Sequence, residues 1–197
     1  MDVETTTPSP REIEALVRRI DRPLVLVGMM GVGKSTVGRK LAALLRCGFV
    51  DADDEIEKAA QMTIAEIFET YGEAYFRDGE RRVIARLLTE PEGTGSGAAA
   101  AVIATGGGAF VEPATRALIL ERGIAVWLDS DVETLLERVS RKATRPLLQR
   151  GDPRAILTRL SADRAAAYAE APIRVESIAG PHQRTVLAIL NALDQWL

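Results

Sequence analysis

Residues 24–36 read Leu-Val-Leu-Val-Gly-Met-Met-Gly-Val-Gly-Lys-Ser-Thr, and this stretch decides the fold. Gly28 to Ser35 matches G-x-x-x-x-G-K-[ST] in full. The all-apolar run Leu24–Val27 ahead of it reads as a buried strand. Val37 to Arg46 behind it carries apolar residues at helical spacing, with Cys47-Gly48 as the stop signal. In that strand–loop–helix setting the glycines let backbone N–H groups cradle a triphosphate at a helix N-terminus, which already favours anions. Gly31, Val32, Gly33 and Thr36 belong to the cradle. Lys34 is placed to reach the outer phosphates, and the Ser35 hydroxyl to ligate Mg²⁺. The motif predicts a nucleoside triphosphate as ligand.

Working outward, apolar runs alternate with helical patterns. Phe49–Asp51, Ala101–Thr105, Ile124–Leu128 and Ile173–Glu176 read as further strands. Helix starts fit the capping boxes Ser9-Pro10-Arg11-Glu12 and Thr63-Ile64-Ala65-Glu66, and also Pro113, Asp131 and Asp152-Pro153. Gly123 serves as a stop. Repeated alternation of this kind predicts an α/β fold, a mostly parallel sheet with helices on both faces and ligands at the carboxyl ends of the strands. Met1 to Pro8 reads as a disordered tail, followed by a short accessory helix through about Asp21. Glu90 to Ala100 has linker composition and reads as a surface loop.

Bulk composition narrows the class. The chain has 197 residues, enough for one sizeable core. A net charge of −3 argues against a nucleic-acid partner. The single cysteine, Cys47, cannot form an internal disulfide and suits a reducing cytoplasm. It reads as helix-end packing. No basic-then-apolar leader and no membrane-spanning run is apparent, so a cytoplasmic protein is expected.

Asp51 and Asp53 follow the second strand two residues apart, and an extended backbone would aim both at the strand ends. Beside a phosphate loop, one carboxylate can hold Mg²⁺ through water and the other can orient or deprotonate an attacking hydroxyl. The competing reading is helix capping. Asp54 and Glu55 are expected to face solvent. The strand Ala101–Thr105 does not end in Asp, which favours Asp51 as the metal's carboxylate. Asp129 and Asp131 form a rival pair, with Asp131 read as the N-cap of a helix Val132–Arg141. Gly106-Gly107-Gly108 costs backbone entropy unless something must lie against bare main chain; a substrate or a tight turn would account for it. Arg145 lies in the basic, proline-broken stretch Arg141–Pro146, the pattern of a mobile lid that brings an arginine onto phosphates. Arg77 and Arg164 carry no such local signature.

Taken together, the residues resemble the shikimate kinase family over nearly everything from Leu24 to Leu193. The likeness rests on an ordered series. It comprises the phosphate loop, Phe49-Val50-Asp51-Ala52-Asp53-Asp54-Glu55-Ile56-Glu57, Ile64–Phe68 with Gly72–Glu80, the triple glycine, Thr144–Leu148, and Asp163-Arg164-Ala165-Ala166-Ala167-Tyr168. It implies a five-stranded, three-layer α/β/α sandwich of the P-loop NTPase type, with ATP-dependent phosphorylation of the 3-hydroxyl of shikimate on the route to chorismate and aromatic amino acids. The cofactors implied are ATP and Mg²⁺, and the expected state is a monomer with no membrane or nucleic-acid partner. Residues 1–22 would be an extension and 23–197 one domain, with a substrate-binding insert near 53–80 and a lid near 141–155. Under the resemblance, Asp53 binds the acid's hydroxyls and accepts the proton. Arg77 and Arg164 clamp its carboxylate, with Glu80 orienting Arg77. Gly106, Gly107 and Gly108 give it backbone contacts. Arg145 reaches the ATP phosphates and Arg138 lies near the adenine. Where the family often has polar or basic residues beside the base, after the fifth strand, this chain departs with Ile178-Ala179-Gly180-Pro181-His182, so mainly main-chain contacts to the base are expected there, with help from His182. A gluconate kinase shares the layout but has less need of two carboxylate-directed arginines. A regulatory GTP switch is excluded, since Asn-Lys-x-Asp needs an asparagine and the only one is Asn191. A nucleotide-binding protein without kinase activity is the remaining alternative.

Overall fold

A computed structural model describes residues 8–90, 101–140 and 152–197. The first seven residues, most of the Glu90–Ala100 loop, Arg145 and most of the expected lid therefore lie outside the described residues.

Five strands form one sheet: β1 (Leu24–Val27), β2 (Gly48–Asp51), β3 (Ala101–Ala104), β4 (Ile124–Asp129) and β5 (Ile173–Glu176). They run parallel in the order β2-β3-β1-β4-β5. The described helices are α1 (Pro10–Arg19), α2 (Lys34–Leu45), α3 (Ala52–Ala60), α4 (Ile64–Thr89), α5 (Pro113–Arg122), α6 (Val132–Ser140), α7 (Pro153–Tyr168) and α8 (His182–Trp196). Each parallel pairing needs a crossover, and the helices supply them.

All residues of β1 and β3 are buried, as a strand covered on both faces requires. Successive β1 residues face opposite layers. A Cβ on Gly38 of α2 would come 3.3 Å from Leu26, while one on Gly123, which ends α5, would come 2.8 Å from Val25 and 3.1 Å from Leu88 of α4. Helices α2 and α4/α5 thus cover the two faces, the three-layer arrangement expected. The expected accessory helix α1 sits on this core through Leu16 and Ile20, and Arg19 donates to Asp194 of α8 at 2.6 Å.

Local signals held at most helix starts. Ser9 and Thr63 both close capping boxes, and Asp131 accepts from the Thr134 amide at 2.8 Å. Some details differ. Helix α2 stops at Arg46 in a left-handed conformation, φ 53°, and Gly48 instead opens β2. Arginine there tolerates the left-handed turn because its amide bonds the Ala42 carbonyl, and Cys47 continues the termination by donating to the same carbonyl. Glu55 does not face solvent: only 12% of its side chain is exposed, and it accepts from Arg86 at 2.7 Å. Helix α4 is broken at Gly72, φ 79° and ψ 178°. The segment after the break carries Arg77 and Glu80, whose side chains lie beside Gly108 and Gly106, past the end of β3. Among the described residues, no helix is long and apolar enough to cross a membrane.

Candidate active site

Because β2, β3 and β1 are neighbours in that order, the chain leaving each arrives at one edge of the molecule. The phosphate loop follows β1, the Asp51–Asp53 segment follows β2, and the triple glycine follows β3.

On the loop, Gly28, Gly31 and Gly33 have φ of 134, 83 and 101°. Residues with a Cβ rarely enter that region. At Gly28 a Cβ would also stand 2.4 Å from the Leu128 carbonyl oxygen. The loop therefore folds tightly between sheet and helix, and Gly33 becomes the N-cap of α2 with no side-chain cap. The amides of the first turn, from Lys34 through Ser35 and Thr36, sit at the positive end of the helix dipole. Lys34 curls back over the loop, its Nζ donating to the carbonyls of Gly28 at 2.7 Å and Met29 at 3.0 Å. Ser35 Oγ donates to Asp51 Oδ2 at 2.6 Å.

Asp51 caps α3 and at the same time reaches the phosphate loop. Oδ1 accepts the Asp53 amide at 3.2 Å, capping α3, while Oδ2 holds Ser35. A hydroxyl and a carboxylate side by side at the loop are hard oxygen donors, the set Mg²⁺ takes when phosphates and water complete its shell. Among the described residues no cluster of three acidic, His or Cys side chains could hold a metal alone. The pair therefore fits a nucleotide-bound Mg²⁺ rather than a dedicated metal cage.

The extended-backbone argument for Asp53 fails. Strand β2 ends at Asp51, and Asp53 stands in the first turn of α3. It still reaches the site, because the helix start turns it over the glycine turn. A Cβ on Gly106 would be 2.8 Å from Asp53 Oδ1 and 3.0 Å from Glu80 Oε1. One on Gly107 would be 3.2 Å from the Met30 amide nitrogen of the phosphate loop. One on Gly108 would be 2.5 and 2.7 Å from the two terminal nitrogens of Arg77. The three glycines are thus bare because side chains from α3 and α4 and the loop backbone occupy the space beside them. Arg164, from α7, donates to the Gly107 carbonyl at 3.0 Å. Asp53, Arg77, Glu80 and Arg164, distant in sequence, converge on one turn.

Charge within this cluster is uneven. Burial raises the proton affinity of Asp53, and the neighbouring Asp51 charge raises it further, while Lys34 opposes both. That suits a carboxylate that takes up a proton. Arg77 is held by Glu80 at 2.7 Å and by Glu73 at 3.3 Å. Glu80 is 1% exposed and its Oε1 is buried without a partner among the described residues. Burial pushes the Glu80 carboxyl above its ordinary 4.5, outweighing the pull of Arg77. A raised folded value means the folded chain holds that proton more tightly than the unfolded one. Its contribution to stability is complete below the unfolded value and is lost as pH rises through the folded one. Urea unfolding of wild type and E80Q between pH 4 and 7 should therefore show wild type losing stability relative to the variant as pH rises. A relative gain would contradict the direction.

On the other side of the phosphate loop, Arg138 has its guanidinium occupied by main chain and a buried serine. It donates to the Val32 carbonyl at 2.9 Å, Ser177 Oγ at 3.1 Å and the Ile178 carbonyl at 2.7 Å. It ties the phosphate loop to the chain leaving β5. His182 is half-buried against the loop, and a Cβ on Gly33 would meet its Cε1 at 2.8 Å. Burial, Arg138 and Lys40 lower its pKa and keep it neutral. Gly31 is pressed by Val139 of α6 in the same way, at 2.6 Å. Arg145 lies outside the described residues.

Two residues were given no role from sequence. Ser177, fully buried, donates to the Val32 carbonyl at 3.1 Å; nothing in its local sequence marks it. Tyr168 donates to the Gly107 carbonyl at 2.5 Å. Its signal was available, since it follows Arg164 by four positions on a helix and so shares its face.

This arrangement has close counterparts. The family model described as shikimate kinase matches residues 30–194. A shikimate kinase from Novosphingobium aromaticivorans is 66% identical over 197 residues, covering 100% of both chains. One from Rhodopseudomonas palustris is 51% identical over 189 residues, covering 96% of this chain and 89% of that one. Among solved structures, a shikimate kinase from Acinetobacter baumannii in complex with shikimate superposes with a TM-score of 0.81 at 38% identity, over 93% of this chain and 97% of that one. The chain belongs to the shikimate kinase family.

Proposed function

We propose that the protein transfers the γ-phosphoryl group of ATP to the 3-hydroxyl of shikimate, and that the residues gathered at the triple glycine carry out the transfer. The observation that supports this reading best is that convergence. Two arginines suited to a carboxylate and a buried acid suited to a hydroxyl meet beside a triphosphate loop. In this reading residues 23–197 form one catalytic domain behind an accessory extension, 1–22. The region 53–80 receives the acid, and 141–155 closes over it.

The phosphate loop and the first turn of α2 hold the ATP phosphates, with Lys34 released from the loop carbonyls to the outer ones. Ser35 and Asp51 would hold Mg²⁺, which when bound neutralises phosphate charge. Arg77 and Arg164 fix the acid's carboxylate at the glycine turn, so its ring alcohol falls beside Asp53. As the alcohol oxygen bonds to the γ-phosphorus, the bond from that phosphorus to the bridging oxygen of ADP breaks and Asp53 takes the alcohol proton. No covalent enzyme intermediate is needed. Positioning and fixed charge supply the rate, as in phosphoryl transfer generally. Arg138, the chain 178–181 and His182 border the base. Arg145 adds its charge from the lid.

An assay coupled to ADP release tests the assignment, run in parallel with shikimate, gluconate and no acceptor. ADP release that depends on shikimate, with the product phosphorylated at the 3-oxygen by NMR, is expected. Equal turnover with gluconate, or none with any acceptor, would overturn it.

A further inference from the structure

We propose that Tyr168 is a positioning residue for the acid. It anchors the Gly107 peptide so that Arg164 is free to turn from that peptide to the substrate carboxylate. This rests on the reading of Arg164 and the glycine turn as groups that bind the acid.

The Gly107 carbonyl accepts two donors from one face of α7, Arg164 Nη1 at 3.0 Å and Tyr168 Oη at 2.5 Å. A carbonyl oxygen has two lone pairs, so the site is full. The same peptide lies against the phosphate loop, since a Cβ on Gly107 would be 3.2 Å from the Met30 amide nitrogen and 3.7 Å from the Gly28 carbonyl oxygen. Its position therefore sets the substrate side relative to the phosphate side. An arginine that both holds this peptide and binds the acid would loosen the turn at the moment of binding. Tyr168 removes that conflict.

The tyrosine is built as a fixed donor. It is 2% exposed, and its ring stacks on Trp127 of β4 with centroids 5.9 Å apart and 23° between planes. Trp127 in turn lies beside Gly28, 3.5 Å from where a Cβ there would be, and carries the Arg174 guanidinium over its ring at 4.7 Å. The ring is thus locked to the central sheet. Burial raises its pKa to about 12 against a hydrogen bond that the phenol oxygen accepts from Arg164, so the phenol keeps its proton and donates it to Gly107 across the neutral range. Arg164 has further donors in its planar fork, which a carboxylate can take as a pair while Tyr168 holds Gly107.

Steady-state kinetics of Y168F, with R164A alongside, test this. Phenylalanine keeps the ring and its stack and deletes the donor. The KM for shikimate should rise about 3- to 10-fold, the effect of one hydrogen bond. The KM for ATP should stay within about twofold, and the thermal midpoint should fall only by roughly 2–4 °C. A purely structural tyrosine would lower the midpoint without separating the two KM values. Y168M, whose flexible side chain adapts to the space, serves if Y168F folds poorly and should give the same separation. If R164A raises the KM for shikimate while Y168F and Y168M leave it at the wild-type value, or raise both KM values equally, the inference falls alone. If R164A leaves it unchanged, the underlying reading falls and the inference with it.

Discussion

Replacing Lys34 with methionine is expected to lower kcat by about 10²- to 10³-fold, the scale on which one preorganised charge or donor at a transition state acts. The ammonium is nearly buried and bonds the Gly28 and Met29 carbonyls at 2.7 and 3.0 Å. It is held inside the glycine loop, where under the proposed function a short rotation would bring it to the phosphates. Methionine keeps the packing of the stem but supplies no charge to the migrating phosphoryl group. The shikimate KM should change little, because Lys34 belongs to the phosphate side. Since the lysine also ties two loop carbonyls, part of the loss could arise from a loosened loop. A thermal midpoint close to wild type separates the two causes. A kcat within about threefold of wild type would remove Lys34 from the phosphate site.

Replacing Arg77 with alanine is expected to raise the shikimate KM about 100-fold or more and leave the ATP KM within about threefold. Truncating one partner of a desolvated charge pair costs roughly 2–5 kcal/mol, and each 1.4 kcal/mol is tenfold. Here two losses combine. The acid loses a forked contact to its carboxylate, and Glu80, 1% exposed, loses the donor at 2.7 Å that compensates its burial. The second loss is moderated because Glu80 already binds a proton more readily than an ordinary glutamate. R77K should recover only part of the affinity, since an ammonium cannot form the bidentate contact. Calorimetry showing equal loss of shikimate and ATP affinity in R77A would contradict the assignment.

How legible the molecule was depends on the range of the interactions. The phosphate loop, the capping boxes at Ser9 and Thr63 and the alternation of elements are written within a few residues, and the structure realises them. Asp53 was found for a reason that did not hold. The extended backbone stops at Asp51, which is both the last residue of β2 and the cap of α3, so Asp53 stands in a helical turn. Asp53 nonetheless stands beside Gly106, because a helix start can aim a side chain at a strand end as well as an extended chain can. Arg77 and Arg164 had no local signature and came only through resemblance. Their meeting at Gly107 and Gly108 is a product of the sheet order, which places the end of β3 beside α3, α4 and α7. The triple glycine was readable as a place of close approach but not as to what approaches. Each glycine there answers a different neighbour. Ser177 was invisible, because its role is set by a hydrogen bond across 145 positions to Val32.

The central claim is that phosphate and acid meet across the carboxyl ends of β1, β2 and β3, with Asp53 at the alcohol. It is tested most directly by a crystal structure of the protein with Mg²⁺, ADP and shikimate. The 3-hydroxyl is predicted to lie within hydrogen-bond distance of Asp53, with the carboxylate between Arg77 and Arg164 over the glycine turn. An acid bound with its 3-hydroxyl remote from Asp53, or with its carboxylate turned away from both arginines, would contradict it.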